Sequence, residues 1–374
     1  MTHKKIFFYI KSNYRERQWD TVEAIKNECE VLVPKNQHRI SSVSIAKGYQ
    51  KPIPKIKTFI ASKLPLINFK ILPPEHKEAN LVYMWGAIPL NSKKPFIIEF
   101  DNPFVSTFYN YSAFTKYKKI LSKFYDKAYK LTFMSETAKN HFLSEFGRAY
   151  EHKCFVNYPF AKRNYTNRKS NKEEIRFVFA GFDFKGKGGY ELLEAFRRVK
   201  NKRIRLYIFS WVPEEIKDKI RDERIIISEP ISRKKLLDIL PSMDVFVLPT
   251  FYESYPLVLL EALSSGCGLI ATNVYAIPEM VRDNKNGVLL KHPFLKPENL
   301  NGFEVINNVK YRGNDFINRF LLKEFFFYSL YMQLKEAIER AIDEYEDWQK
   351  ESIALYEEKF SEELWLDNFR SIIE

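Results

Sequence analysis

The sequence predicts an α/β fold built from two doubly wound domains, and three observations carry that prediction. Short apolar runs alternate with stretches of helical periodicity, which is how strand–helix–strand units around a parallel sheet are written. The runs are apolar at nearly every position, so the sheet they form is covered on both faces. The chain has 374 residues, enough for two domains at roughly 100–200 residues each.

The second half has the clearer rhythm. Strands are expected at Ile175–Ala180, Ile204–Phe209, Arg224–Ser228, Asp244–Pro249 and Gly268–Thr272. Between them, spacings near 3.6 residues predict helices over Gly189–Lys200, Pro213–Arg221, Ser232–Leu240 and Pro256–Ser265. In the first half the strand candidates are Lys4–Ile10, Cys29–Val33, Asn80–Met84, Pro95–Phe100, Leu131–Met134 and Lys153–Asn157. Helices are expected there at Arg15–Asn27, Ala113–Lys130 and Glu136–Phe146. The polar stretch Ala161–Glu174 reads as a linker, residues 291–325 as an insertion, and Tyr331–Glu374 as a strongly helical tail.

Composition narrows the class. Apolar residues make up 45% of the chain, so a core can form and global disorder is excluded. Cys29, Cys154 and Cys267 are far apart and odd in number, which excludes a disulfide framework or zinc ribbon and fits a reducing compartment. The apolar run at the amino terminus, Ile6–Ile10, is too short for a secretory signal. No stretch approaches a membrane span. A cytoplasmic chain, peripheral on the membrane face, is the expectation.

The net charge of +13 is unevenly spread. Residues 1–170 carry 30 Lys and Arg against 13 Asp and Glu, while residues 171–374 carry 30 against 34. The excess therefore belongs to the first half. Between Glu30 and Glu75 there are eight bases (Lys35, Arg39, Lys47, Lys51, Lys55, Lys57, Lys63, Lys70) and no acid. On the helix expected at Ala113–Lys130, Lys116, Lys119, Lys123, Lys127 and Lys130 form one stripe, and Phe114, Tyr117, Leu121, Phe124 and Ala128 supply the apolar side. Such a face suits plain solvation, or docking on anionic lipid or a phosphorylated acceptor.

Chemistry concentrates in Asp244–Glu279. The helix expected from Pro256 is apolar on every side, so it is buried, yet Glu261 interrupts it. A buried carboxylate needs partners. Glu253 lies in the loop before the helix, where the helix N-terminus offers N–H groups and a positive dipole end to a phosphate. A diphosphate flanked by two carboxylates fits this spacing, and so does a structural ion pair at Glu261 beside an exposed acid at Glu253. A second segment, Phe179–Phe196, runs from a strand end through a glycine-bearing loop to an amphipathic helix and places Lys185 and Lys187 in that loop. A loop lysine beside a helix N-terminus offsets charge developing on a leaving group.

The run Glu253-SYPLVLL-Glu261, preceded by Pro249-Thr250 and followed by Ala262-Leu263, Ser265-Gly266, Ile270-Ala271-Thr272, Ile277-Pro278-Glu279 and Asn286-Gly287, resembles the donor-binding signature of family-four retaining glycosyltransferases. The matches extend over about 45 residues. The resemblance implies the GT-B architecture, two Rossmann-like doubly wound domains facing a cleft. It places an acceptor-binding domain at 1–170, a nucleotide-sugar donor domain at 171–345, and helices at 346–374 packing back toward the first domain. It implies that Glu253 contacts the donor sugar's hydroxyls, that Glu261 holds the ribose, and that the backbone of Ser254, Tyr255, Pro256 and Leu257 meets the sugar and diphosphate. Lys187-Gly188 resembles the family's Lys-Gly, whose lysine neutralises the departing diphosphate, with Gly181 opening the loop and Lys185 close by. Ser228–Ser232 resembles the loop that packs on the nucleotide base, through Pro230 and Ile231.

Departures from the pattern are equally specific. The family's arginine after the first glycine is replaced by Phe182-Asp183, and the glycines usual after the first strand are absent from Lys11–Arg15. In place of a histidine after the fourth strand stand Glu99 and Asp101. Asp101 at that strand end fits an orienting acid for acceptor or donor sugar, and equally a cap for the following turn. No HExxH, Walker loop, GxGxxG or Asp-x-Asp occurs. No metal and no separate cofactor are therefore expected. The partners implied are a UDP- or GDP-linked sugar, a glycan or lipid-linked acceptor, and an anionic membrane surface. Nucleic acid, suggested by the pI alone, is not among them. The rival reading is a GT-B-like protein with a lapsed active site that binds sugars or partners.

Overall fold

In a computed structural model of the chain, residues 4–10, 16–35, 43–44, 66–168, 173–293 and 327–374 are described. They fall into two compact units, Met1–Tyr158 with Trp365–Glu374, and Pro159–Leu364. Five of the basic positions between Glu30 and Glu75 (Lys47, Lys51, Lys55, Lys57, Lys63), together with Arg39, lie outside the described residues, as do Lys11–Arg15 and most of the insertion expected at 291–325.

The first unit contains strands β1 (Lys5–Phe8), β2 (Glu30–Leu32), β3 (Phe69–Lys70), β4 (Leu81–Trp85), β5 (Ile88–Pro89), β6 (Phe96–Phe100), β7 (Lys130–Phe133) and β8 (Cys154–Val156). Six of them form one sheet in the order β2-β1-β4-β6-β7-β8, every pair parallel. β3 and β5 pair separately as a parallel two-strand ribbon. The helices are α1 (Glu16–Ala24), α2 (Tyr111–Lys127) and α3 (Glu136–Phe146). Asn110 and Ser135 start α2 and α3 by accepting the N–H groups of Ala113 and Ala138, as expected of short polar residues at that position.

β4 and β6 are buried at every residue, which covered parallel strands require. One charge breaks the pattern: Glu99 is buried and pairs with the buried Arg17 of α1. Its second oxygen accepts the Tyr83 hydroxyl at 2.7 Å. Burial and the Glu99 charge hold the Tyr83 hydroxyl well above the usual phenol range.

The second unit contains β9 (Ile175–Ala180), α4 (Gly189–Arg198), β10 (Ile204–Phe209), α5 (Glu214–Lys217), β11 (Ile225–Ser228), α6 (Arg233–Ile239), β12 (Val245–Leu248), α7 (Leu257–Ser264), β13 (Gly268–Thr272), β14 (Gly287–Leu290) and α8 (Tyr328–Lys359). Its sheet runs β11-β10-β9-β12-β13-β14, again parallel throughout. The reversal of strand order beside β9 puts the loops after β9 and β12 next to each other, where such sheets hold ligands.

Two expectations are corrected in detail, and a third is refined. The helix expected to reach Lys130 ends at Lys127, because Ala128 turns extended (ψ 135°) to enter β7. Lys130 is thus a strand residue, and the helical stripe stops one residue short. The helical tail is two helices, with α9 (Glu362–Ile373) beginning after a break at Phe360–Ser361. Pro256 caps α7 from outside rather than occupying its first turn.

The units divide at Tyr158/Pro159 and Leu364/Trp365, where the sequence reading drew lines at 170/171 and 345/346. The reason is local bonding. Arg163 pairs with Glu357 at 2.7 Å, and Asn164 and Arg168 donate to the carbonyls of Leu237 and Gly266 at 2.8 and 2.9 Å, tying this segment to the second unit. On α9, the Phe369 ring lies 6.4 Å from that of Phe8 and 5.9 Å from that of Tyr83, and Arg370 pairs with Glu28 at 2.7 Å. Among the described residues, no helix is long and apolar enough to cross a membrane.

Candidate active site

The loop Gly181–Gly188 joins β9 to α4. Asp183 accepts the Gly186 N–H at 3.0 Å, closing a tight turn. Gly188 sits at φ +73°, and a Cβ there would lie 2.2 Å from the Pro249 carbonyl oxygen. Only glycine suits both demands. The turn delivers Lys187 to the carboxyl end of the sheet.

The loop Pro249–Pro256 follows the neighbouring strand, and the Phe251 N–H donates to the Gly186 carbonyl at 3.1 Å, locking the two loops together. Thr250 donates its hydroxyl to the Tyr252 carbonyl at 2.9 Å. The result is a junction between the two segments singled out in the sequence. Lys187 Nζ lies 2.7 Å from Glu253 Oε2 and 3.1 Å from the Tyr252 carbonyl oxygen, and 4.7 Å from the centroid of the Tyr252 ring. The Tyr252 hydroxyl donates to Asp183 at 2.6 Å. Burial and the adjacent Asp183 carboxylate push that hydroxyl far above its ordinary range. Both Lys187 and Glu253 remain partly exposed, at 17% and 21%, so a ligand can reach them.

The remaining predicted residues flank this junction. Ser254 donates its N–H to Glu253 Oε1 at 3.2 Å. Tyr255 and Pro256 are buried, and Leu257 at the start of α7 is half-buried. Glu261, one turn further in, is buried and pairs with Arg233, the first residue of α6. Gly181 packs against Lys187, whose Cγ would be 3.4 Å from an added Cβ. Lys185 is half-buried on the same loop. Pro230 and Ile231 are half-buried between β11 and α6. Asp101 belongs to the first unit and is engaged locally, accepting the Asn102 N–H at 2.8 Å and the Tyr109 hydroxyl at 2.7 Å. The side-chain cap of the turn at Pro103–Thr107 comes from Asn102. Among the described residues, no cluster of three or more His, Cys, Asp or Glu could hold a metal.

Sequence reasoning missed Arg233, Asp183 and Tyr252. The signal for the first was the requirement that a buried Glu261 have a cationic partner; Arg233, Lys234 and Lys235 all lie at the start of α6, and spacing does not choose among them. Asp183 and Tyr252 carry no motif and are brought together only by the pairing of β9 with β12.

Residues 174–299 match the model of the family glycosyl transferases group 1. An uncharacterized 41.2 kDa protein from the cps region of Klebsiella pneumoniae is 31% identical over 122 residues, 32% of this chain and 33% of that protein. The alpha-maltose-1-phosphate synthase of Mycolicibacterium smegmatis is 35% identical over 66 residues, 18% of this chain and 17% of that one. The chain thus aligns with a third or less of the length of these curated relatives. Among solved structures, Anabaena HepE in complex with UDP-glucose has a TM-score of 0.61 at 12% identity, covering 99% of both chains. Sucrose-phosphate synthase from Thermosynechococcus elongatus has a TM-score of 0.61 at 13% identity, covering 99% of this chain and 98% of that one. At such identities the likeness concerns the fold, and that fold is the GT-B type the sequence resemblance implied.

Proposed function

We propose, from the match of residues 174–299 to the glycosyl transferases group 1 model, that the chain is a retaining, metal-independent glycosyltransferase. It moves a sugar from a UDP- or GDP-linked donor to a hydroxyl of a glycan or lipid-linked acceptor. The observation that carries this reading is the Lys187–Glu253 pair, 2.7 Å apart, beside the amino-terminal end of α7. A cation and a carboxylate held together at a sheet's carboxyl edge suit a ligand that is anionic at one end and hydroxylated at the other.

In this reading Glu253 accepts hydroxyl hydrogens of the donor sugar, and the backbone N–H groups near Ser254, Tyr255 and Leu257 meet the sugar and diphosphate. Lys187, with Lys185 on the same loop, stabilises the negative charge that grows on the diphosphate as the glycosidic bond breaks. Glu261, oriented by Arg233, accepts from the ribose. Pro230 and Ile231 pack on the base, and Asp101 orients the acceptor. The acceptor oxygen attacks the anomeric carbon from the face the diphosphate leaves. Its proton passes to the leaving phosphate oxygen, so the anomeric configuration is retained. HepE, whose structure contains UDP-glucose, supports the donor class. Donor hydrolysis by the wild-type chain, lost in Glu253→Gln and Lys187→Ala, is the expected result. A wild-type chain that binds donor sugars and never cleaves them would instead establish the lapsed, sugar-binding alternative.

A further inference from the structure

Within the first unit, the β3/β5 ribbon, the turn at Phe108 and helix α2 make one continuous surface. The Leu90 N–H donates to the Lys70 carbonyl at 2.9 Å, which sets Leu90 beside Ile71 at the end of the ribbon. These two side chains are 51% and 75% exposed. Lys70 Nζ sits 5.2 Å from the centroid of the Phe108 ring, and the Phe69 ring lies 5.0 Å from that of Phe124 on α2. The ribbon therefore bridges Phe108 to the helix.

On α2, Lys116, Lys119, Lys123 and Lys127 are exposed. Spacings of three and four residues keep them on one stripe. Ile120, 43% exposed, lies at the edge of that stripe, one turn before Phe124. Among the described residues, none of these four lysines has a carboxylate partner. The fifth lysine of α2, Lys118, points elsewhere and pairs with Glu145 at 2.8 Å. The one acid of the helix, Asp126, accepts the Tyr150 hydroxyl at 2.6 Å.

The backbone adds an independent observation. Phe108 and Tyr109 sit at φ 51° and 61°, a left-handed conformation that aromatic residues rarely adopt. Hydrogen bonds from their N–H groups to the carbonyls of Val105 and Phe104, at 3.2 and 2.8 Å, hold them there. The strained turn presents Phe108 outward, 53% exposed, level with the ribbon. Strain kept to display an apolar ring points to a use for that ring.

We propose that this face docks on an anionic lipid bilayer. Phe108, Ile71 and Leu90 enter the boundary between headgroups and acyl chains, and the lysine stripe of α2 lies against the lipid phosphates. A soluble polyanion would engage the lysines and have no use for the apolar edge. This inference does not depend on the reaction proposed above.

The test is co-sedimentation of the full chain with vesicles of phosphatidylglycerol and phosphatidylcholine, against vesicles of phosphatidylcholine alone. Binding to the anionic vesicles is expected, weakening as salt rises. At roughly fivefold per lysine, the triple variant Lys119→Gln/Lys123→Gln/Lys127→Gln is expected to bind about a hundredfold more weakly. The variant Ile71→Ser/Phe108→Asn keeps a residue tolerant of the left-handed turn. It is expected to lose at least tenfold while retaining its salt dependence. Circular dichroism and melting temperature confirm that each variant is folded. Millimolar glycerol phosphate is expected to leave vesicle binding unchanged; displacement by it would reduce the face to a headgroup site and overturn bilayer docking. A folded wild type that ignores anionic vesicles, or one that binds a single-stranded oligonucleotide through the same lysines instead, would also overturn it.

Discussion

Lys187 Nζ stands 2.7 Å from Glu253 Oε2, so the cation proposed to meet the diphosphate and the carboxylate proposed to meet the sugar are in contact with each other. An anionic ligand competes with Glu253 for the lysine.

A first prediction follows from that competition. Glu253→Gln is expected to tighten the binding of UDP or GDP alone severalfold, because the lysine no longer faces a carboxylate. The same variant is expected to weaken binding of the sugar-linked donor relative to the bare nucleotide. Lys187→Ala is expected to weaken both and, by loss of a charge-stabilising group, to lower turnover by roughly 10²–10³-fold. Isothermal titration with nucleotide and donor, side by side, checks the opposite signs.

Arg233 and Glu261 are 18% and 7% exposed. Arg233→Ala leaves a buried carboxylate without its cation, at a cost of about 3 kcal/mol in stability. The double variant Arg233→Met/Glu261→Gln removes both charges and is expected to recover most of that loss while still failing to hold the nucleotide. Urea unfolding of the three proteins separates the two effects.

Gly188 combines a positive φ of 73° with a Cβ position 2.2 Å from the Pro249 carbonyl oxygen. Gly188→Ala is expected to cost more than about 1–2 kcal/mol, since steric overlap adds to the backbone penalty. Gly188→Asn, which tolerates the dihedral but still carries the Cβ, is expected to rescue little. Were asparagine to restore full stability, the clash would not be the dominant cost. Thermal melts of both variants decide.

Glu191, on the first turn of α4, is 1% exposed. Burial raises its carboxyl to about 7, against an ordinary value of 4.5. In this range the folded protein holds a proton that the unfolded chain has lost, so Glu191 makes stability fall as pH rises from about 4.5 to 7. Its Oε1 accepts the Phe327 N–H at 3.3 Å, an acceptor that glutamine retains. Glu191→Gln is therefore expected to gain stability over wild type as pH rises through this window, by an amount on the order of 3 kcal/mol at most. The buried His292, lowered to about 4 by burial, acts in the opposite sense. The folded protein keeps it neutral, and stability is lost as pH falls from about 6.5 to 4. Melting temperatures of wild type and Glu191→Gln at pH 5 and pH 8 isolate the first effect.

Five of the second unit's strands were legible because each is a nearly continuous apolar run, and β9 and β10 begin and end where the pattern does. β3 and β5 are two residues long and carry no period to detect. β14 is four residues long, opens on Gly287 and pairs in parallel with β13. In the site, Glu253, Glu261 and Lys187 were visible as charges interrupting or preceding apolar helices. The groups around them were not, because such pairs are set by elements that meet only in the fold: Arg233 reaches Glu261 from 28 residues away, Tyr252 reaches Asp183 from 69, and in the first unit Glu99 of β6 finds Arg17 of α1 at a separation of 82. The basic stripe was legible as far as Lys127, and the exposed apolar edge beside it required the ribbon and the turn at Phe108.

The most direct test of the central claim is the melting temperature of the chain across a panel of UDP-, GDP- and dTDP-sugars at millimolar concentration, repeated on Lys187→Ala. Binding to the native state alone raises stability by mass action. A rise of several degrees with at least one UDP- or GDP-sugar, abolished in Lys187→Ala, is the predicted result. No shift with any of the donors, in a wild type that is folded, would contradict the assignment of Lys187, Glu253 and Glu261 as a nucleotide-sugar site.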